Sequence, residues 1–176
     1  MSGDAGVTLE QVMDSRERRA CRQREHILEY GVPIVSFTIN MPGAHKNTSE
    51  SRFIFHEGLL ALDKAIAKHF GQPLFREVYE LDTGHEALLG VKAEAKVLKV
   101  SVLKLELEHP LGRMFDFDVI GIDGIPVSRE SLGHPKRKCL LCGNEAHMCG
   151  RSGRHGLDEL VRKIGELIEA YLSTDK

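Results

Sequence analysis

From Glu50 to Phe70 the apolar side chains Phe55, Leu59, Leu62, Ile66 and Phe70 recur every three or four residues. That spacing predicts an amphipathic helix, and Gly71 stops it. The end of the chain repeats the pattern: Leu157, Leu160, Val161, Ile164, Leu167, Ile168 and Tyr171 make one apolar stripe suited to docking on a core. A third helix is predicted near the start. Thr8 can cap it, Gln11 completes a capping box, and Gly31 can take the left-handed position after Tyr30. Its apolar content is thin, and Arg16, Arg18, Arg19, Arg22 and Arg24 stand against few acids. Much of this helix is therefore expected to face solvent or a charged partner.

Between these helices the period changes. Residues 32–42, rich in β-branched side chains and closed by Pro42-Gly43, predict a strand. Residues 74–81 and 87–91 read as short strands joined by a turn through Gly84, and residues 93–99 as one or two helical turns. From Val100 to Glu108 the chain alternates, with Leu103, Leu105 and Leu107 on one side and Lys104, Glu106 and Glu108 on the other. A period of two predicts a half-buried strand there. A turn at 109–112 leads to a strand from Phe115 to Ile120, and a tight return at 121–124 to a short strand from Ile125 to Ser128. Residues 130–156 read as irregular. Helices mixed with short, partly antiparallel strands predict a single α+β domain over 8–172, with 1–7 and 173–176 as flexible termini. Its sheet should be mixed or mostly antiparallel and flanked by helices, a nucleotidyltransferase-like arrangement being one such form.

Composition narrows the function classes. A chain of 176 residues, 41% hydrophobic, can bury one real core, whereas two domains would each be marginal. Charged residues at 28% and a net charge of -2 argue against disorder and against a globally basic nucleic-acid binder. No apolar run approaches the roughly 20 residues that span a bilayer, and the start has no apolar signal-like stretch. A cytoplasmic location, with neither nucleic acid nor membrane as partner, is the expectation. Three of the four cysteines fall within 139–149. In a reducing compartment that cluster suits a metal or substrate site better than a disulfide framework.

Two segments carry candidate chemistry. In the first, the strand Phe115–Ile120 puts Asp116 and Asp118 side by side on one face, with Phe115, Phe117 and Val119 pointing into the core. Adjacent carboxylates raise each other's pKa. A divalent cation relieves that cost, and Mg²⁺ is commonly held by one or two carboxylates plus substrate phosphates. Before the pair, Gly112 permits close approach and Arg113 offers planar donors for a phosphate. The plain alternative is two carboxylates on the wet face of an edge strand. The second segment holds Cys139, Cys142, Cys149 and His155, a candidate tetrahedral zinc set with His147 as a spare. Its uneven spacing leaves inert thiols or thiolate chemistry open. The same segment brings Lys136, Arg137, Lys138, Arg151 and Arg154, with Glu145 the only acid between His134 and His155. Such a local field suits a polyanion such as a phosphate, with a solvated charge run as the alternative.

Taken in order, several blocks resemble the apo-citrate lyase phosphoribosyl-dephospho-CoA transferases, also called citrate lyase holo-acyl-carrier-protein synthases. They are Ser15-Arg16-Glu17, the run Pro33 to Thr38, Arg52 to Phe55, Leu107 to Arg113, Asp116 to Val119, Ser128-Arg129, Arg137 to Cys142, Ala146, Cys149, Arg151 and His155. The resemblance implies transfer of 2'-(5''-phosphoribosyl)-3'-dephospho-CoA from a triphosphate precursor. The acceptor is a serine of the citrate lyase acyl carrier (gamma) subunit, and pyrophosphate leaves. In that setting Asp116 and Asp118 would hold Mg²⁺ and Arg113 would clamp the reacting phosphate. Arg137, Lys138 and Arg151 would meet the leaving pyrophosphate or the ribose phosphate. Lys46, Asn47 and Arg52 form a second phosphate or nucleotide contact. His155 has three competing roles: general acid, phosphate contact or zinc ligand. Arg16, Arg19 and Arg22 share a helix face that could dock an acidic carrier. The rivals are a non-catalytic, zinc-stabilised polyanion-binding module and a small-molecule nucleotidyltransferase.

Overall fold

The computed structural model describes residues 6–174. Its first helix, α1 (Leu9–Tyr30), starts where the capping signal places it. Thr8 Oγ1 accepts from the Gln11 N–H at 3.2 Å, and Gln11 Oε1 accepts from the Thr8 N–H at 2.8 Å. Gly31, at φ 63°, ends the helix in the left-handed conformation. There follow β1 (Ile34–Ile39), α2 (Ser49–Phe70), β2 (Phe75–Leu81), β3 (Gly84–Gly90), α3 (Ala95–Glu108), β4 (Phe115–Ile120), α4 (Ala146–Ser152) and α5 (Leu157–Thr174). The strands form one antiparallel sheet in the order β2-β3-β1-β4, so the expected α+β class with an antiparallel sheet holds.

Alternation sorts the two faces of that sheet. Val35, Phe37, Ala87, Leu89, Phe115, Phe117 and Val119 share one face and pack against Ile54, Phe55, Leu62 and Ile66 of α2, Leu98 and Val102 of α3, and Ile164 of α5. Phe37 stacks on Phe55 at 5.0 Å and on Phe117 at 4.4 Å between ring centroids. Gly58 lets α2 come this close: a Cβ there would meet the Phe37 ring and lie 2.8 Å from Phe115 Cε1. Gly58→Ala should therefore destabilise by about 1–3 kcal/mol through overpacking, despite gaining about 1 kcal/mol of helix propensity. A urea midpoint at or above the parent's would contradict that packing. The opposite face carries Ile34, Ser36, Thr38, Leu88, Glu86, Asp116, Asp118 and Ile120, and α1 lies across it. Ile27 of α1 packs with Ile34, Leu88 and Ile120 in a second, smaller cluster.

Several expectations need correction. Residues 100–108 are helical, continuing the turns at 95–99 into α3. Its buried side chains, Leu98, Lys99, Val102, Leu103 and Glu106, fall on one helical face, whereas Leu107, assigned above to a buried strand face, is 59% exposed. Alternation over so few residues did not distinguish the two periods, and tertiary contact decided. As a helix, the segment brings Lys99 and Glu106 onto the free edge of β4. Glu106 Oε1 accepts from the Phe117 N–H at 2.9 Å, and Lys99 Nζ donates to the Phe117 carbonyl. Two charged side chains thus satisfy backbone groups that an edge strand would leave open to pairing with another chain.

The strand expected at 125–128 is reduced to a single bridge between Ile120 and Pro126, with the Val127 N–H donating to Val119 O at 2.8 Å. Pro126 lacks the N–H that a longer ladder would use. The stretch 130–156 is not wholly irregular, since it contains α4. Strand limits also moved: β1 is shorter than 32–42, and β3 begins at Gly84, which puts the hairpin turn at Asp82-Thr83. Of the termini expected to be flexible, residues 1–5 and 175–176 lie outside the described residues. Val7 N–H donates to Ala44 O at 2.9 Å, and α5 runs through Thr174. Among the described residues no helix is long and apolar enough to cross a membrane.

Candidate active site

The short 3-10 turn Gly112–Met114 feeds β4 into the edge of the sheet. Gly112 is buried, and a Cβ there would sit 2.5 Å from Leu105 O and 2.6 Å from Glu106 O. Its missing side chain therefore lets the turn press against the end of α3, so the close approach that Gly112 permits includes the backbone of that helix. From this turn β4 sends Asp116 and Asp118 to the α1 side, opposite Thr38 and Ser36 of β1. Asp116 lines a cleft of about 810 Å³ between α1, the loop after β1 and the segment 137–155. Arg16 and Arg19 come from α1, Lys46 from the loop, Arg113 from the turn, and Arg137, Lys138, Cys139, Cys149 and His155 from the long segment.

Charge is organised around two buried glutamates. Arg137 donates to Phe115 O at 2.7 Å and to Asp116 Oδ1 at 3.1 Å, and lies 3.1 Å from Glu106 Oε1. Glu106, 5% exposed, also takes an ion pair from Arg129. Arg129, Glu106, Arg137 and Asp116 thus form a continuous chain of alternating charge. On the other side Glu86, 3% exposed, accepts from Ser15 Oγ at 3.2 Å, Arg19 Nη1 at 2.6 Å and Arg22 Nη2 at 2.6 Å. Arg22 also lies 4.2 Å over the Tyr79 ring. Asp118 keeps surface exposure, yet desolvation by the surrounding protein pushes its carboxyl above the ordinary range, with Asp116 as the second cause. Lys99, Arg19 and Arg137 oppose that shift. Arg113 is depressed by desolvation first and then by the neighbouring cations Arg137 and Arg129. Its guanidinium donates to the Lys138 carbonyl, tying the turn to the basic segment.

One wall of the cleft holds sulfur. Cys142 Sγ lies 3.5 Å from Cys149 Sγ and 3.3 Å from His155 Nε2. Ligand atoms of Cys139, Cys142, Cys149 and His155 all fall within 4.8 Å of one another, a group that could hold a metal ion.

A profile of the family described as apo-citrate lyase phosphoribosyl-dephospho-CoA transferase matches residues 7–171. The chain belongs to this family. It is 38% identical over 169 residues to a Vibrio cholerae protein named probable apo-citrate lyase phosphoribosyl-dephospho-CoA transferase, covering 96% of this chain and 95% of that protein. An Escherichia coli apo-citrate lyase phosphoribosyl-dephospho-CoA transferase is 35% identical over 162 residues, covering 92% of this chain and 88% of the relative.

In this member of the transferase family, Asp116, Arg113, Arg137, Lys138, Arg16, Arg19, Lys46 and His155 converge on one cleft. Asp118 stands beside Asp116 on the same face of β4 but is not part of the cleft lining. Arg22 is drawn under α1 to Glu86, and Arg19, though at the cleft, is paired there too. Asn47 and Arg52 bond each other at 3.2 Å at an exposed position outside the cleft. Arg151, exposed in the last turn of α4, does not line it either. Lys46 donates to Met41 O, and desolvation, then Arg16, lowers its pKa. His147 sits 3.3 Å from Glu145, apart from the sulfur cluster. Glu106 escaped the sequence reading because it falls on the polar side of an alternating run, Glu86 because it falls between the two predicted strands, and Lys99 because a lysine in a helical turn reads as solvent-facing. Arg129 did carry a signal, as part of the Ser128-Arg129 block.

Proposed function

We propose that this chain transfers the phosphoribosyl-dephospho-CoA group from a triphosphate precursor to a serine hydroxyl of the citrate lyase acyl carrier subunit. Pyrophosphate leaves, which makes the enzyme a nucleotidyltransferase, and the setting is the cytoplasm. The observation that carries this reading is Asp116 facing Arg113, Arg137 and Lys138 in one cleft of a chain belonging to this family. Membership of a transferase family disfavours the non-catalytic binding module.

Asp116 and Asp118 fit a hard divalent cation: they are neighbours on one face, and desolvation, then Asp116, raises the Asp118 carboxyl, a cost that a bound cation would relieve. They would hold Mg²⁺, which when bound supplies charge neutralisation to the reacting phosphates. The chain's own residues do the rest. Arg113 and Lys138 on one wall, with Lys46 across the cleft, bind and orient the phosphates. Arg137 fixes Asp116 through Oδ1, which leaves Oδ2 to accept the serine proton as the hydroxyl oxygen bonds to phosphorus and the bond to pyrophosphate breaks. The test is incubation of purified apo carrier with the triphosphate precursor and Mg²⁺. A mass gain equal to the prosthetic group on the carrier serine is expected, and an unchanged carrier mass would overturn the reading.

Carrier docking falls to Arg16, the arginine of the expected trio that is exposed and not held by Glu86. Arg16→Glu should weaken carrier binding in a low-salt titration and leave the unfolding midpoint near the parent's. Arg19→Glu should instead lower the midpoint, because it places a like charge on buried Glu86. Equal carrier affinity for Arg16→Glu and the parent would remove the docking role.

A further inference from the structure

We propose that Cys139, Cys142, Cys149 and His155 bind one structural zinc ion, and that this ion fixes the cleft wall carrying Arg137 and Lys138. The metal assignment stands apart from the transfer reading; its consequence for phosphate binding rests on that reading.

The first argument is geometric. Zinc–sulfur bonds of about 2.3 Å and zinc–nitrogen bonds of about 2.0–2.1 Å imply tetrahedral edges of roughly 3.8 Å between sulfurs and roughly 3.6 Å between sulfur and nitrogen. The observed 3.5 Å from Cys142 Sγ to Cys149 Sγ and 3.3 Å from Cys142 Sγ to His155 Nε2 are close to those edges. All four ligand atoms lie within 4.8 Å of one another. Four protein ligands close the coordination shell, as in structural sites, whereas catalytic zinc keeps a position open.

The second argument is the backbone that presents these atoms. Lys138 and Glu145 form an antiparallel bridge, with the Cys139 N–H donating to Asn144 O at 2.7 Å and the Ala146 N–H to Arg137 O at 2.8 Å. Inside this small loop the Leu141 N–H points at Cys139 Sγ at 3.5 Å, the kind of donor that stabilises a sulfur carrying negative charge. Cys149 then comes from α4, and Gly153, at φ 56°, ends that helix so that His155 turns back to the sulfurs. Lys136, Arg137, Lys138, Arg151 and Arg154 flank or interleave with the four ligands along the chain, so the ion would sit within the basic segment.

The third argument is what the segment lacks. Between residues 130 and 156 Cys149 is the one buried residue, so little apolar burial holds this stretch in shape. A metal cross-link supplies order where a core is missing. The loop so ordered carries Arg137, which holds Asp116, and Lys138, whose carbonyl holds Arg113. A disulfide between Cys142 and Cys149 would leave Cys139 and His155 without a role, although they converge on the same point.

The test begins with the full chain, purified without chelator and analysed by plasma mass spectrometry. About one zinc per chain is expected. Cys142→Ser and His155→Ala should lose it, and Cys21→Ser, on the exposed side of α1, should keep it. Because Cys142→Ser could fail to fold, the parent is also stripped with a thiol mercurial and chelator and refilled with Co²⁺. Thiolate-to-cobalt charge-transfer bands and the intense visible bands of tetrahedral cobalt are then expected. Substoichiometric zinc with no such bands, parental zinc in Cys142→Ser, or loss of two hydrogens in the purified parent, marking a disulfide, would each overturn the site. The stripped chain should bind inorganic pyrophosphate about 10-fold more weakly than the zinc form by calorimetry, a fold-change in line with losing outer-shell order around a site. Equal affinity would overturn the bracing role while leaving the zinc. Neither measurement involves the carrier, so an unmodified carrier would count against the transfer reading alone.

Discussion

Asp116→Asn and Asp118→Asn are each expected to lower transfer to the apo carrier by about 100-fold or more, the scale of losing one preorganised electrostatic contact. Both side chains leave β4 on the side away from the aromatic core, so neither substitution creates a cavity. Asn at 116 can still accept from Arg137 but carries no charge and is a poor proton acceptor. Rates at saturating substrate, beside circular dichroism of each variant, check this. A correctly folded variant transferring at the parental rate would remove the pair from the chemistry.

Asp118→Asn also has a pH signature with a definite sign. Desolvation, then Asp116, raises the Asp118 carboxyl, so between its ordinary and raised values the folded state holds more protons than the unfolded state. Parental stability therefore falls as pH rises through that window, and Asp118→Asn lacks the loss. Above the window the variant should be more stable relative to the parent than it is in acid, and urea unfolding at both pH values measures the difference. A parent–variant difference that does not change with pH would mean that the carboxylate carries no such penalty. The expected pH-dependent difference would mean that function holds two charges together here at some cost to the fold.

The largest effect on stability is expected at Glu106. Glu106→Ala leaves Arg129 and Arg137 without their shared counter-charge and deprives the Phe117 N–H of its acceptor. Removing one partner of a buried pair costs about 3–5 kcal/mol, and an orphaned donor adds about 1–3 kcal/mol. These terms overlap, so a total near 4 kcal/mol is the expectation from urea unfolding. Glu106→Gln keeps an acceptor for the Phe117 N–H and should lose less. Transfer by folded Glu106→Gln should fall chiefly through KM, since Arg137 stays in the cleft but loses its anchor. A loss below about 1 kcal/mol for Glu106→Ala would place the pair in the class of surface ion pairs.

Much of this molecule is written in short-range pattern. Thr8, Gln11 and Gly31 bound α1 because capping needs only neighbours three or four residues away. The stripe of α2 and the alternation Phe115–Asp116–Phe117–Asp118 likewise survive in the fold, because period alone assigns their faces. In α5 the stripe holds around Ile164, Leu167, Ile168 and Tyr171, while Leu157 and Val161 are about half exposed. The family was legible too, since its blocks are matches of residues in order.

What the linear chain did not determine are charges whose partners lie far along it. Arg19 and Arg22 are 67 and 64 residues from Glu86, and Arg137 is 21 from Asp116. Nothing local distinguishes an arginine facing water from one folded under its own helix onto a buried carboxylate. Residues 100–108 show the same limit, since alternating Leu, Lys and Glu fit a strand as well as a helix. The edge of β4, where the Phe117 N–H and carbonyl need partners, together with the ion pairs from Arg129 and Arg137, makes burial of Lys99 and Glu106 favourable. Local spacing determined most of the elements but not α3, and long-range pairing of charge decided which arginines and carboxylates face the site.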